Sequence, residues 1–433
     1  MTRSQWVLML CCALLWCGPG ADGAPDNWAD HASQVRVPIV VPLQRGVLQR
    51  RPVIVPWARI AAALPGAEVK LSSLRLFSDG KLLAFQVDHR DADGNLLPAG
   101  NVTLDPQDEV VFVCPADRQT TLYLYGSAEP RPAITYASSV QMTAVRQGAG
   151  RVHYRLSSGD LSIGIQGAGA LDLNATTPIN LGRGSVVELK WRGQSTIWPR
   201  MNWAVYMNGH PFAIERWQRV KVIVDGPVHK VVAVQGIGKL QTDKDGVALR
   251  RVDVTRYFSM FADCPLYDIE DAIECREVQP KWVMTYTDRF FAGRSRDAND
   301  VLWDGSAGTT RQFLLADKDI KTNRSGSLVD NKKVASGWCA WYDTQEESGL
   351  AVFYRPDGIM VPTVGFEAGW ELYSSVNRMS FQYDDLQAPT TLRHRFRIVG
   401  LTEVDSKDVA VEHTLWVDDA GDSVTIGQLE RSR

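Results

Sequence analysis

Apolar residues recur at every second position along much of this chain, most plainly from Arg251 to Cys275, where two alternating runs flank a Cys264-Pro265 break. Val252, Val254, Phe258 and Met260 share one face of the first run. Tyr267, Ile269, Ile273 and Cys275 share one face of the second, with Asp268, Glu270 and Glu274 opposite. Period two predicts β-strands with one face hidden. Shorter runs predict strands at 35–41, 51–56, 74–77, 82–88, 109–114 and 122–125, interrupted by an Ala-rich helical turn over 57–64 that Pro65-Gly66 stops. Further strands are predicted at 152–156, 161–165, 186–191, 220–224, 228–235, 281–287, 338–342, 350–354, 392–399 and 413–417. No helix longer than two turns is expected. The turn-rich stretch 293–326 reads as a lid or binding loop, since loops of that length are usually functional or disordered.

Proline spacing in Glu129-Pro130-Arg131-Pro132 breaks the pattern and puts a domain boundary near residue 135. The expected architecture is all-β: a small N-terminal β-barrel or sandwich over 33–135, then a large antiparallel β-supersandwich over 136–433. A length of 433 residues fits two domains. The N-terminus carries Arg3, an apolar run from Trp6 to Cys17, and small residues at Ala21 and Gly23, which predicts an export signal over 1–23 and a secreted or periplasmic protein. A lipoprotein signal ending at Cys17 is the alternative, which the bulky Trp16 disfavours. No later run is long and apolar enough to span a bilayer as a helix. A formal net charge of −3 supplies no field to hold a nucleic-acid backbone.

Cys114, Cys264, Cys275 and Cys339 follow the signal. Cys114 and Cys275 read as core residues, and Cys264 with Cys339 as the pair to expect if any disulfide forms. The Asp88-His89-Arg90-Asp91-Ala92-Asp93-Gly94-Asn95 segment resembles a calcium loop, yet His89 and Gly100 stand where ligands should, so a hairpin tip is favoured over a calcium site, and no cofactor is expected. No zinc spacing, phosphate loop or Gly-x-Ser-x-Gly occurs, which removes support from hydrolase triads and nucleotide enzymes.

Three constellations carry candidate chemistry. In the first, Trp198, Arg200 and Trp203 precede Tyr206 and an Asn208-Gly209 turn that presents His210. Tyr206 and His210 form a proton-moving couple there, Arg200 a carboxylate partner, and the two indoles a stacking surface for sugars; a core hairpin is the bland reading. In the second, Trp338, Trp341, Tyr342 and Asp343 offer a sugar platform with a carboxylate for hydroxyl contacts, against a reading in which they belong to core and sheet edge. In the third, period two groups Arg393, Arg395 and Arg397 and puts His394 with Leu392, Phe396 and Ile398. The arginines could grip acidic sugars, but a cross-strand ladder with Asp268, Glu270 and Glu274 is favoured, with His394 a satisfied core residue.

Segments 36–47 with Arg51-Pro52-Val53, then 83–88 and 108–112, resemble secreted proteins of the rhamnogalacturonan exolyase type, and equally a secreted family known as domain of unknown function 4861. Asp225-Gly226-Pro227-Val228 followed by the Arg251 to Cys275 pair is similar to the supersandwich of galactose-mutarotase-like sugar enzymes. The resemblance implies an N-terminal barrel joined to a mutarotase-like supersandwich. The exolyase type adds an α/α toroid for which this chain has no room, and no catalytic position carries over. The function expected is a carbohydrate-active protein, most concretely a polysaccharide lyase acting on a uronate-containing glycan by β-elimination. A non-catalytic glycan-binding module and a glycoside hydrolase with a carboxylate pair from Asp343, Glu346, Glu347, Glu367 and Glu371 are the alternatives.

Overall fold

The computed structural model describes residues 28–98, 103–145, 154–166, 169–170, 185–192, 194–196, 204–207, 210–240, 251–275, 279–291, 300–305, 309–314, 326–332, 337–343, 347–355, 360–361, 364–369, 374–386, 390–402, 406–417 and 423–432. The fold is all-β. Strands Val35–Val41, Thr120–Gly126, Arg75–Ser78 and Lys81–Leu83 form one N-terminal sheet, and Arg50–Pro56, Glu109–Pro115 and Phe85–Asp88 form a second. Val37, Ile39, Val53, Leu76, Phe112 and Leu124 fill the space between them, and helix Trp57–Ala62 packs Trp57 and Ile60 against the same core. Glu109–Pro115 is apolar without alternation because both its faces are buried: Val110 and Phe112 face that core, Val111 and Val113 a second one.

That second core joins the N-terminal sandwich to a sixteen-stranded antiparallel sheet. Through the middle of the large sheet run, in order, Trp338–Asp343, Ser348–Arg355, Thr390–Thr402, Leu266–Cys275, Arg251–Phe261, His229–Leu240 and His210–Asp225. Period two splits these strands between two covers. Phe261, Leu266, Phe353 and Val399 pack with Val111 and Val113. A five-stranded sheet (Val140–Ala144, Tyr154–Ser158, Leu161–Gln166, Ser185–Trp191 and Gln194–Thr196) packs elsewhere on the large sheet. Trp191 Nε1 donates to Leu401 O at 3.2 Å, and the Trp191 ring fills the space a Cβ on Gly400 would need.

Three expectations change. The predicted strand at 413–417 is part of helix Ser406–Val417, twelve residues long. Val409, Glu412, His413 and Trp416 are its buried positions, a helical spacing that a five-residue window cannot display. The stretch 293–326 contains strands Asp300–Gly305 and Thr309–Leu314, which add a hairpin to Trp338–Asp343. Finally, strands Thr425–Ile426 and Glu430–Arg431 pair with Val35–Val41, so the end of the chain completes the N-terminal sandwich rather than the large domain.

Candidate functional site

Register across Leu266–Cys275 and Thr390–Thr402 sets Asp268 opposite Arg397 and Glu270 opposite Arg395. The ladder read from the sequence is present at Asp268 and Glu270, while Glu274 stands opposite Thr391 rather than an arginine. Arg397 grips Asp268 through Nε and Nη2, both at 2.7 Å, and Glu270 takes Arg393 at 2.6 Å and Arg395 at 3.1 Å. His394 points to the opposite face and is fully buried. Contrary to a solvated ladder, however, the N-terminal sandwich lies over this row. Burial works to raise the Glu270 carboxyl, but Arg395, Arg90 and Arg393 outweigh it and hold the group below the usual carboxylate range.

The cover leaves a small, solvent-open cleft with about 100 Å³ of free space, a notch rather than a deep pocket. Pro52, Ile54, Arg90 and Leu96 of the N-terminal sandwich form one wall, with Trp416 of the C-terminal helix. The large sheet supplies His229, Tyr257, Ser259, Asp268, Glu270, Arg355, Arg395 and Arg397. Burial, and then the Glu270 charge, raise the Tyr257 phenol, which is therefore protonated at neutral pH.

His229 is set by partners far away in sequence. Its Nδ1 lies 2.6 Å from Asp88 Oδ2, and its ring stacks on Phe261 at 4.2 Å between centroids and 2° between planes. Gln86 Oε1 accepts from the N–H groups of Val228 at 3.0 Å and His229 at 2.9 Å, while its Nε2 donates to His229 O at 3.2 Å. Any Cβ at position 226 would collide with that amide, which is why Gly226 opens the turn. His229 is 5% exposed, yet its Nε2 has no hydrogen-bond partner among the described residues. An unpartnered buried polar atom costs roughly 1–3 kcal/mol, so it calls for an explanation.

The hairpin tip expected at 88–95 is built by Asp91. Its Oδ1 accepts from the N–H groups of Asp93 at 3.0 Å and Asn95 at 2.8 Å, and its Oδ2 from Asn95 Nδ2 at 3.0 Å. Gly94, at φ +78°, completes the turn. Arg393 then ties the tip to the sheet through Asp93 O at 2.9 Å and Asn95 Oδ1 at 2.6 Å. Among the described residues no group of three or more His, Cys, Asp or Glu is placed to hold a metal.

Of the residues singled out from sequence, Trp198, Arg200 and Trp203 lie outside the described residues. Tyr206 and His210 sit on the paired strands Ala204–Met207 and His210–Asp225, where Tyr206 is opposite Pro211 and His210 opposite Met207, alternate positions of the pleat. Trp338 and Tyr342, at 1% and 8% exposure, belong to the second core and have no face left for a sugar, which corrects their reading as a platform. Trp341 and Asp343 lie on the same strand, with side chains outside the described set. Cys264 is a free buried thiol rather than one half of a disulfide, and burial raises it strongly. Cys114 is likewise free and buried, pushed up to about 12. Reasoning from sequence missed His229, Tyr257 and Arg355, and took Asp88 only as part of a hairpin tip. The arginine row was the one local signal that pointed at this cleft.

No family model matches the chain, and no curated protein does. The likeness to exolyases and to domain of unknown function 4861 therefore remains one of short segments. Among solved structures, an alpha-mannosidase from Enterococcus faecalis V583 is 9% identical, with 94% of this chain and 47% of that chain covered and a TM-score of 0.46. A putative aldose 1-epimerase from Klebsiella pneumoniae is 10% identical, with 66% of this chain and 88% of that chain covered at 0.37. A heparan sulfate lyase from Pedobacter heparinus is 8% identical, with 64% of this chain and 38% of that chain covered at 0.36. The chain spans about half the length of the mannosidase it matches. All three neighbours bear the names of carbohydrate-active proteins, and the all-β assignment rests on this chain's own strand pairing.

Proposed function

We propose that the protein is carbohydrate-active, and that it takes a uronate-bearing glycan into the cleft and cleaves it by β-elimination. One observation carries the reading: four guanidinium groups, Arg90, Arg355, Arg395 and Arg397, line the cleft against two carboxylates, Asp268 and Glu270, with a protonated phenol and an imidazole in the same wall. Arg90 is paired with Glu109 at 2.8 Å, and with that third carboxylate counted the wall still carries more guanidinium than carboxylate charge, which suits a ligand carboxylate. Neutralising that carboxylate acidifies the adjacent C–H, and stabilising charge as it develops is the largest lever such a site has. Tyr257, kept protonated by burial and by Glu270, suits the donor to the departing oxygen. A hydrolase reading asks Glu270 or Asp268 to donate a proton, and the guanidinium groups around Glu270 keep it ionised. An extracellular polymer also fits the export signal expected over 1–23.

Purified protein is to be incubated with polymers of galacturonate, of mannuronate and of glucuronate-containing repeats while the ultraviolet absorbance of unsaturated products is followed. Growth of that signal on one polymer is expected, with Tyr257→Phe and Arg355→Ala slowing it. Retention of a polymer without turnover would leave a binding module. Loss of activity in Tyr206→Phe and His210→Ala but not in Tyr257→Phe would move the chemistry to the Tyr206, His210 and Arg200 group.

A further inference from the structure

Within that reading, we infer that His229 is the base that takes the proton from the ligand, with Asp88 as the positioning residue behind it. Asp88 approaches Nδ1 at 2.6 Å, and an ionised carboxylate only accepts, so Nδ1 carries the hydrogen and Nε2 keeps the lone pair. The ring has little freedom to turn, because it lies flat on Phe261 while Gln86 fixes the backbone on both sides. Nε2 is thus oriented, carries the lone pair and has no hydrogen-bond partner among the described residues, in a side chain that lines the cleft. A purely structural latch between the N-terminal sandwich and the large sheet would be complete with the Asp88 and Gln86 bonds. It would not account for an imidazole in the wall of an open cleft whose second nitrogen is buried with no partner among the described residues.

The step balances without a metal or an oxidant. Nε2 takes the proton from the ring carbon that bears the uronate carboxylate, and the freed electron pair becomes a carbon–carbon double bond. The neighbouring carbon–oxygen bond breaks with its electrons on oxygen, and that oxygen takes the Tyr257 phenolic proton. Solvent afterwards takes the proton from His229 and returns one to Tyr257.

The test compares wild type with His229→Gln, His229→Ala and Asp88→Asn on the uronate polymers above, each first checked for a native melting transition. His229→Gln, which keeps a donor for Asp88 but has no basic nitrogen, should lower kcat by about 10²- to 10⁴-fold with KM little changed. Added imidazole should restore part of the rate to His229→Ala and none to Tyr257→Phe, an effect that a structural role would not produce. Asp88→Asn should lower kcat and shift the pH–rate profile. A folded His229→Gln with undiminished kcat overturns the base and leaves the lyase reading standing. No unsaturated product from wild type on any polymer overturns both. Should both His229 variants fail to fold, unchanged kcat and pH profile in Asp88→Asn overturn the inference.

Discussion

His394 shows how one position in a strand pattern fixes a chemical state. It occupies the inward set with Leu392, Phe396 and Ile398, is fully buried, and burial pushes its imidazole down from 6.5 to about 3. The folded protein therefore holds it neutral, while the unfolded chain takes up a proton as the pH drops below 6.5. Between about pH 6.5 and pH 3 the unfolded state binds the extra proton, so stability falls on acidification by about 1.4 kcal/mol per pH unit and levels off below. Urea unfolding at pH 7 and pH 5 should show His394→Gln losing about 2 kcal/mol less than wild type across that interval. Equal losses in the two proteins would mean that His394 carries a charge in the fold. His229 lies instead in the wall of the cleft, with Asp88 at its Nδ1, and the difference between a silent histidine and a candidate base lies in where the ring is set.

Helix Ser406–Val417 is tied to strand Arg50–Pro56 by a buried ion pair, Arg51 with Glu412, and the backbone N–H of Leu48 donates to the same carboxylate at 3.3 Å. Burial raises the Glu412 carboxyl, with Arg51 and Arg397 opposing. A Cβ on Gly46 would lie 2.5 Å from Arg51 Nη2 and 2.6 Å from Glu412 Oε2, so the loop passes over the pair only as glycine. Glu412→Leu should cost about 3–5 kcal/mol in urea unfolding by stranding Arg51, and adding Arg51→Met should recover most of it. An additive loss would show that the two groups are not coupled. None of this was visible locally, because Arg51 and Glu412 are 361 residues apart. The strands were legible: their period of two survives in each segment, and even the Asp268, Glu270, Arg395, Arg397 ladder follows from it once Leu266–Cys275 meets Thr390–Thr402. The helix was not, since Val409, Glu412, His413 and Trp416 mix charge with apolar residues and its periodicity is weak. The site was half legible. Arginines on one face mark it, but Asp88 and His229 meet across 141 residues, and only the docking of two domains brings them together.

The N-terminal sandwich is one wall of the cleft, and it is closed by the other end of the chain. Thr425–Ile426 and Glu430–Arg431 extend the edge of Val35–Val41, Val424 is buried in the sandwich core, and Ile426 and Leu429 pack against it. Arg36 adds an ion pair to Glu430 at 2.7 Å while its guanidinium lies between Trp28 and Tyr123, 4.7 Å and 4.5 Å from the ring centroids. Removing residues 423–433 would leave Val35–Val41 as an open edge and cost the burial of Val424 alone about 1.5–3 kcal/mol, with Ile426 and Leu429 adding to it. Glu430→Gln, by contrast, touches a pair whose acidic partner is partly open to water and should cost about 1 kcal/mol or less. The truncated protein should melt lower and be cut by protease first within its N-terminal strands. Because Pro52, Ile54, Arg90 and Leu96 all come from that sandwich, it should also lose affinity for a ligand of the cleft. A truncated protein that melts like wild type would show that the returning strands are an ornament on a sandwich already complete, and one that melts lower but binds normally would move the ligand away from this cleft.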